Sequence, residues 1–186
     1  MTPEEMFDRA TTAALQDRRN LIRFLANISG TQAHWTPPDD EWTIALGLEH
    51  IMLTETYFRT NMLHVIRQAE ASNSWDNTPA HASKMSPEAL RRRDQGFVPA
   101  PAVLEPQGNR DFQEMCAALL SDRETSLQAV RPYRRRDLSR LTLSHPVYGD
   151  RNCYDLIGYW GIHDYLHQEQ MERVTRQPHY PIASTL

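Results

Sequence analysis

Between Trp42 and Ala69 the apolar residues Ile44, Leu48, Ile51, Met52, Phe58, Met62 and Ile66 recur at spacings of three, four and seven. Only a helix gathers such positions on one face, so the spacing predicts a long helix from about Glu41 or Trp42 to about Ala69. Three further stretches keep the same period. Thr2, Pro3 and Glu5 form a helix start of the capping-box kind, followed by Met6, Ala10, Ala13, Ala14, Leu21, Phe24 and Leu25 on one face, with Gly30 as the expected stop. Phe112, Met115, Cys116, Leu119, Leu120, Leu127 and Val130 mark a third helix, about Asp111 to Val130. A last helix runs from Asn152, an N-cap three residues before Asp155, to about Arg176. No long stretch alternates with period two. LTLSHPVYGDRN, residues 142–152 with Leu141 ahead, leaves room for one short hairpin. The chain therefore reads as all-α, a four-helix bundle with a long crossover connection between helices 2 and 3.

That crossover, Ser72 to Arg110, loses all periodicity and holds Pro79, Pro87, Pro99, Pro101 and Pro106. Ser86, Pro87 and Glu88 signal a short helix to about Arg93. A connection of this length needs a packing or functional reason, and it is expected to cross the bundle and border a site. With 186 residues the chain suits a single domain, 1–186, with an ample core.

Two histidines give the sequence its chemistry. His163 and His167 stand four apart in the last helix, so both imidazoles leave one face, among Leu156, Trp160, Met171 and Val174. Zinc, nickel and iron(II) all accept neutral imidazole, and a catalytic centre commonly keeps three protein ligands with one open position. His50 lies on an inward or half-inward face of helix 2, whereas His34, His81, His145 and His179 fall in loops or the tail and His64 points less surely inward. His50 is therefore the best-placed third ligand, and one divalent transition metal is the expected cofactor, its hold weakening steeply in acid as the imidazoles protonate.

Competing chemistries fit less well. HDYLH has Asp164 where a zinc protease needs glutamate, and Gln170 and Arg173 occupy the positions of the Gly and third His in the extended motif. Paired Glu-x-x-His motifs, a P-loop and a GxGxxG are all missing. Lysine plus arginine is 20 against 24 acids, a formal charge of -4, and the short runs Arg91–Arg93 and Arg134–Arg136 suit solvated surfaces. Nucleic acid is thus not an expected partner. Two isolated cysteines, acids near the N-terminus and no apolar run approaching the ~20 residues of a membrane span lead us to expect a cytoplasmic protein without a membrane partner.

The segments EWTIALGLEHI, with Trp42 eight residues before His50, and HPVYGDRNCYDLIGYWGIHDYLHQEQMERV resemble two signatures of the DinB-like (DinB/YfiT) family of metalloenzymes. They occur in the family's order and separation, so the similarity covers nearly the whole chain. The resemblance implies a four-helix bundle with a long crossover and metal ligands at His50, His163 and His167. It also implies a small-molecule substrate, with low-molecular-weight thiols among the candidates, because the family includes thiol-dependent transferases and isomerases. On this reading the chain is a metal-dependent transferase or hydrolase; the alternative is a non-catalytic metal-binding or protein-interaction bundle. A homodimer is compatible with either. Of the neighbouring residues, Trp42 is expected to pack the start of helix 2, His145 with Pro146 to shape a turn, and Asp164 to sit at the surface or meet a loop. Tyr57 and Trp160 are expected to line or fill the cavity.

Overall fold

A computed structural model describes residues 1–38, 41–84 and 99–182. The expected short helix of Ser86–Arg93 and the run Arg91–Arg93 lie outside the described residues. The described chain is mostly helical: α1 (Pro3–Leu25), the short α2 (Gly30–Ala33), α3 (Ile44–Ala71), α4 (Phe112–Val130) and α5 (Cys153–Thr175). A hairpin precedes α5, with β1 (Thr142–His145) antiparallel to β2 (Gly149–Asn152) and Thr142 opposite Asn152, His145 opposite Gly149. None of the helices among the described residues is long and apolar enough to cross a membrane.

Side-chain caps set the helix starts. The Thr2 hydroxyl accepts from the Glu5 backbone while the Glu5 carboxylate accepts from the Thr2 backbone. Thr43, Asp111 and Asn152 cap α3, α4 and α5 in the same way through their side-chain oxygens. One boundary differs from expectation. α1 ends at Leu25, and Gly30 opens a helix rather than closing one, because Ser29 and Gln32 form a second capping box.

α1 lies along α5, α3 packs on α4 and α5, and α4 also meets α1. The α1–α5 approach depends on Gly161: a Cβ there would stand 2.8 Å from the Ala14 Cα and 2.8 Å from Asp17 Oδ2. Two apolar cores fill the interior. One gathers Phe7, Ala14, Phe58, Met62, Leu156 and Trp160; the other gathers Leu21, Leu48, Ile51, Phe112, Leu119 and Met171.

Between the two cores, each long helix contributes one charged residue. Arg18 of α1 donates to Asp164 through Nε (2.8 Å) and Nη2 (3.0 Å), and to Glu55 through Nη2 (2.5 Å). Arg123 of α4 donates to Glu55 (2.9 and 3.1 Å), to Asp164 (3.0 Å), and to the carbonyls of Trp160 and Ala14. Both arginines are 0 % exposed and Asp164 of α5 is 1 % exposed. Two guanidinium groups thus balance two carboxylates, the arrangement that makes so dry an ionic layer tolerable. Burial opposes ionisation of Glu55, but the charges of Arg123 and Arg18 and the hydrogen bonds it accepts overcome that and hold its carboxyl below the usual range. Asp164, expected at the surface or against a loop, is instead a tie between α5, α1 and α4. Its side chain leaves the helix a hundred degrees from His163, and that direction points into the interior rather than outward.

Candidate metal centre

His50, His163 and His167 stand together. One ligand nitrogen from each lies within 4.8 Å of the others, and among the described residues no further His, Cys, Asp or Glu joins the group. α3 supplies His50 one turn before Thr54, and α5 supplies the i, i+4 pair from a single face. The ionic layer fixes these two helices relative to each other, since Glu55 follows His50 on α3 and Asp164 follows His163 on α5.

Hydrogen bonds orient two of the rings. His50 Nδ1 lies 2.8 Å from the Leu104 carbonyl, which places the proton on Nδ1 and leaves Nε2 bare. His167 Nδ1 lies 2.8 Å from Gln170 Oε1, and its Nε2 faces His163 Nε2 at 3.0 Å. Two imidazole nitrogens pointed at each other suit a shared cation, which satisfies both lone pairs. An ion with Zn–N-type bonds of ~2.0–2.1 Å sets neighbouring ligand nitrogens ~3.3 Å apart, between the closest and widest spacings here. The three histidines therefore fit a divalent transition ion and could hold one.

Burial depresses all three imidazoles. His50 is lowered, His163 is lowered well below the ordinary range with the neighbouring histidines adding to the effect, and His167 is pushed down to about 3. The rings are thus kept neutral, the form a metal requires.

The connection between α3 and α4 reaches this cluster as expected. A 3-10 turn at Ala102–Leu104 delivers the carbonyl that holds His50, and the Gly108 N–H donates to the buried Glu49 carboxylate (2.8 Å). Gly108 does so with φ of 70°, a backbone conformation that glycine adopts without strain. Trp42 does more than pack the start of α3: its ring lies 4.8 Å from that of His50 and 6.3 Å from that of His167. Trp160 is buried in the apolar core, whereas Tyr57 is 37 % exposed. His145 does shape the turn, since its Nδ1 accepts from the backbone of Val147 and Tyr148, but it is also 3 % exposed and packs against Tyr159. Sequence reasoning missed Leu104, Gln170 and Tyr159. Gln170 was legible at i+3 from His167; a backbone carbonyl carries no sequence signal.

A search of curated proteins and a search of solved structures found no match to the chain. The profile described as the DinB superfamily matches residues 13–171, a span that contains α3, α4, the hairpin and all three histidines. The chain belongs to the DinB superfamily.

Proposed function

We propose that this chain is a divalent-metal-dependent enzyme, a thiol-dependent transferase or a hydrolase, with His50, His163 and His167 as its metal ligands. The observation that carries this reading is the convergence of three neutral imidazoles with no fourth His, Cys, Asp or Glu among the described residues, the ligand number of an open catalytic site. A bound divalent ion would supply Lewis acidity that favours the deprotonated form of a thiol or water at neutral pH.

The protein's own residues do the positioning. The Leu104 carbonyl and Gln170 hold His50 and His167 in the tautomers that present Nε2. Trp42 flanks two of the rings and Tyr159 the third, at 5.3 Å from His163, so apolar surface limits access of water to the cluster. We read α1, α3, α4 and α5 as a four-helix bundle in one domain, with the α3–α4 segment as the crossover that borders the site. A cytoplasmic protein acting on a small molecule, without nucleic-acid or membrane partners, accords with the charge of -4 and the two free thiols.

The test is a panel of low-molecular-weight thiols with electrophilic acceptors, run beside esters, amides and lactones, on metal-loaded wild type and His163→Ala. Metal-dependent conjugation supports the transferase; metal-dependent hydrolysis without thiol supports the hydrolase. No turnover with either set, together with a fourth protein ligand on the metal, would establish the non-catalytic alternative instead.

A further inference from the structure

The hairpin adjoins the histidine cluster through one aromatic ring. His145 packs against Tyr159 with ring centres 4.6 Å apart, and Tyr159 in turn stands 5.3 Å from His163. Phe58 stacks nearly parallel to the His145 ring at 5.0 Å, and Tyr148 lies 4.7 Å from it. His145 Nδ1 is occupied as an acceptor from the Val147 N–H (3.1 Å) and the Tyr148 N–H (3.3 Å). The neutral ring therefore carries its proton on Nε2. That ring stays neutral because burial, then the nearby Arg151 charge, push it down to about 4.

His145 Nε2 is buried, and among the described residues it has no hydrogen-bond partner; the same holds for Arg151 Nε. The strand register brings these two donors to one face. Leu143 and His145 are the buried alternate positions of β1, and Arg151 pairs with Leu143. Residues opposite each other in an antiparallel pair share a face, so Arg151 is a diagonal neighbour of His145. Its guanidinium lies 6.0 Å from the Tyr148 ring, on the same aromatic group. Gly149 pairs with His145 across the hairpin at an exposed position, and a Cβ there would meet nothing within 4 Å, so the hairpin is open to solvent at this point. Buried donors left unmade are costly, and two of them on one face of the hairpin, one carrying a positive charge, match an anionic acceptor.

We propose that His145 Nε2–H and Arg151 Nε–H form a carboxylate subsite for a substrate whose reacting end lies at His50, His163 and His167. The proposal rests on the reading of that cluster as the reaction site. It makes His145 and Arg151 specificity determinants: they select substrates or thiols that carry a carboxylate several bonds from the metal-bound atom.

Cobalt(II)-loaded protein tests this without turnover, because thiolate binding to cobalt gives a charge-transfer absorption. The probes are mercaptoacetate, 3-mercaptopropionate and 4-mercaptobutyrate, with 2-mercaptoethanol as the thiol lacking a carboxylate. At least one carboxylate thiol is expected to bind tenfold or more tightly than 2-mercaptoethanol, equivalent to ~1.4 kcal/mol. Arg151→Met and His145→Phe should each reduce that preference to within about twofold, with cobalt content and 2-mercaptoethanol affinity unchanged. Should His145→Phe fail to fold, Arg151→Met at its part-exposed position decides alone, and His145→Gln, which keeps a donor, should retain the preference. Equal affinities across the series on cobalt-loaded wild type would overturn the subsite and assign the two donors to internal water. Protein that takes up no cobalt would overturn the metal reading itself, and the subsite with it.

Discussion

Replacing Arg123 with Met removes one of two positive charges from the layer that joins α1, α3, α4 and α5. The structure sets the size of the effect. Arg123 is 0 % exposed, and its loss strips Glu55 of two hydrogen bonds, Asp164 of one, and the Trp160 and Ala14 carbonyls of their side-chain donor. Arg18 still reaches both acids, at 2.5 Å to Glu55 and 2.8 Å to Asp164, but one guanidinium must then neutralise two buried carboxylates. Breaking such a network by removing one partner costs about 3–5 kcal/mol. Against the ~5–15 kcal/mol stability of an ordinary domain, that is a large fraction. Urea denaturation should show the loss as a lower midpoint with an unchanged slope. The penalty should also depend on pH. Burial already raises Asp164 above the usual aspartate range, against the opposing charges of Arg123 and Arg18. Removing Arg123 raises it further. A carboxyl whose folded pKa exceeds its unfolded value gains stability for the folded state as pH falls toward the unfolded value, ~3.9. The difference between wild type and Arg123→Met should therefore shrink between pH 7 and pH 5. A loss below about 1 kcal/mol at pH 7, or a penalty that grows in acid, would refute this account of the ionic layer.

Gly161→Ala should destabilise the protein by about 1–3 kcal/mol, because the new methyl would meet the α1 backbone at 2.8 Å; Gly158→Ala, with nothing within 4 Å, should instead stabilise it by up to ~1 kcal/mol. Thermal melts of the pair check the opposite signs, and equal signs would contradict the close α1–α5 contact. Metal-free protein should lose stability as pH falls from ~6.5, the free-imidazole value, toward about 3. The unfolded chain takes up protons in that window and the clustered histidines of the folded chain do not. Metal retained after dialysis should accordingly fall at a pH well below ~6.5; release centred at or above that value would contradict the depressed basicity of the three rings.

Local signals in the sequence carried most of the fold. Thr2 with Glu5, and Asn152 with Asp155, marked helix starts because capping is a short-range exchange of hydrogen bonds. Gly30 misled because Ser29 and Gln32 outweigh its usual role as a stop. The histidine cluster was legible since an i, i+4 pair on an apolar face constrains its own geometry. The ionic layer was not. Apolar periodicity assigns an arginine to the solvent side by default, and nothing near Arg18 or Arg123 in the chain names a partner. Glu55 is 37 residues away from Arg18, and Asp164 is 146 away. The Leu104 carbonyl that orients His50 was hidden for a related reason: every residue has one, and only the path of the chain decides where it points.

The most direct test of the central claim is the metal content and ligand shell of the purified protein and its His50→Ala, His163→Ala and His167→Ala variants. Elemental analysis gives the occupancy, and X-ray absorption at the metal edge gives the donors. The account predicts one divalent ion per chain in wild type, three imidazole nitrogens at ~2.0–2.1 Å with an exchangeable fourth ligand, and loss of the metal in each variant. Full occupancy in His50→Ala, or a shell closed by a fourth protein side chain, would contradict it.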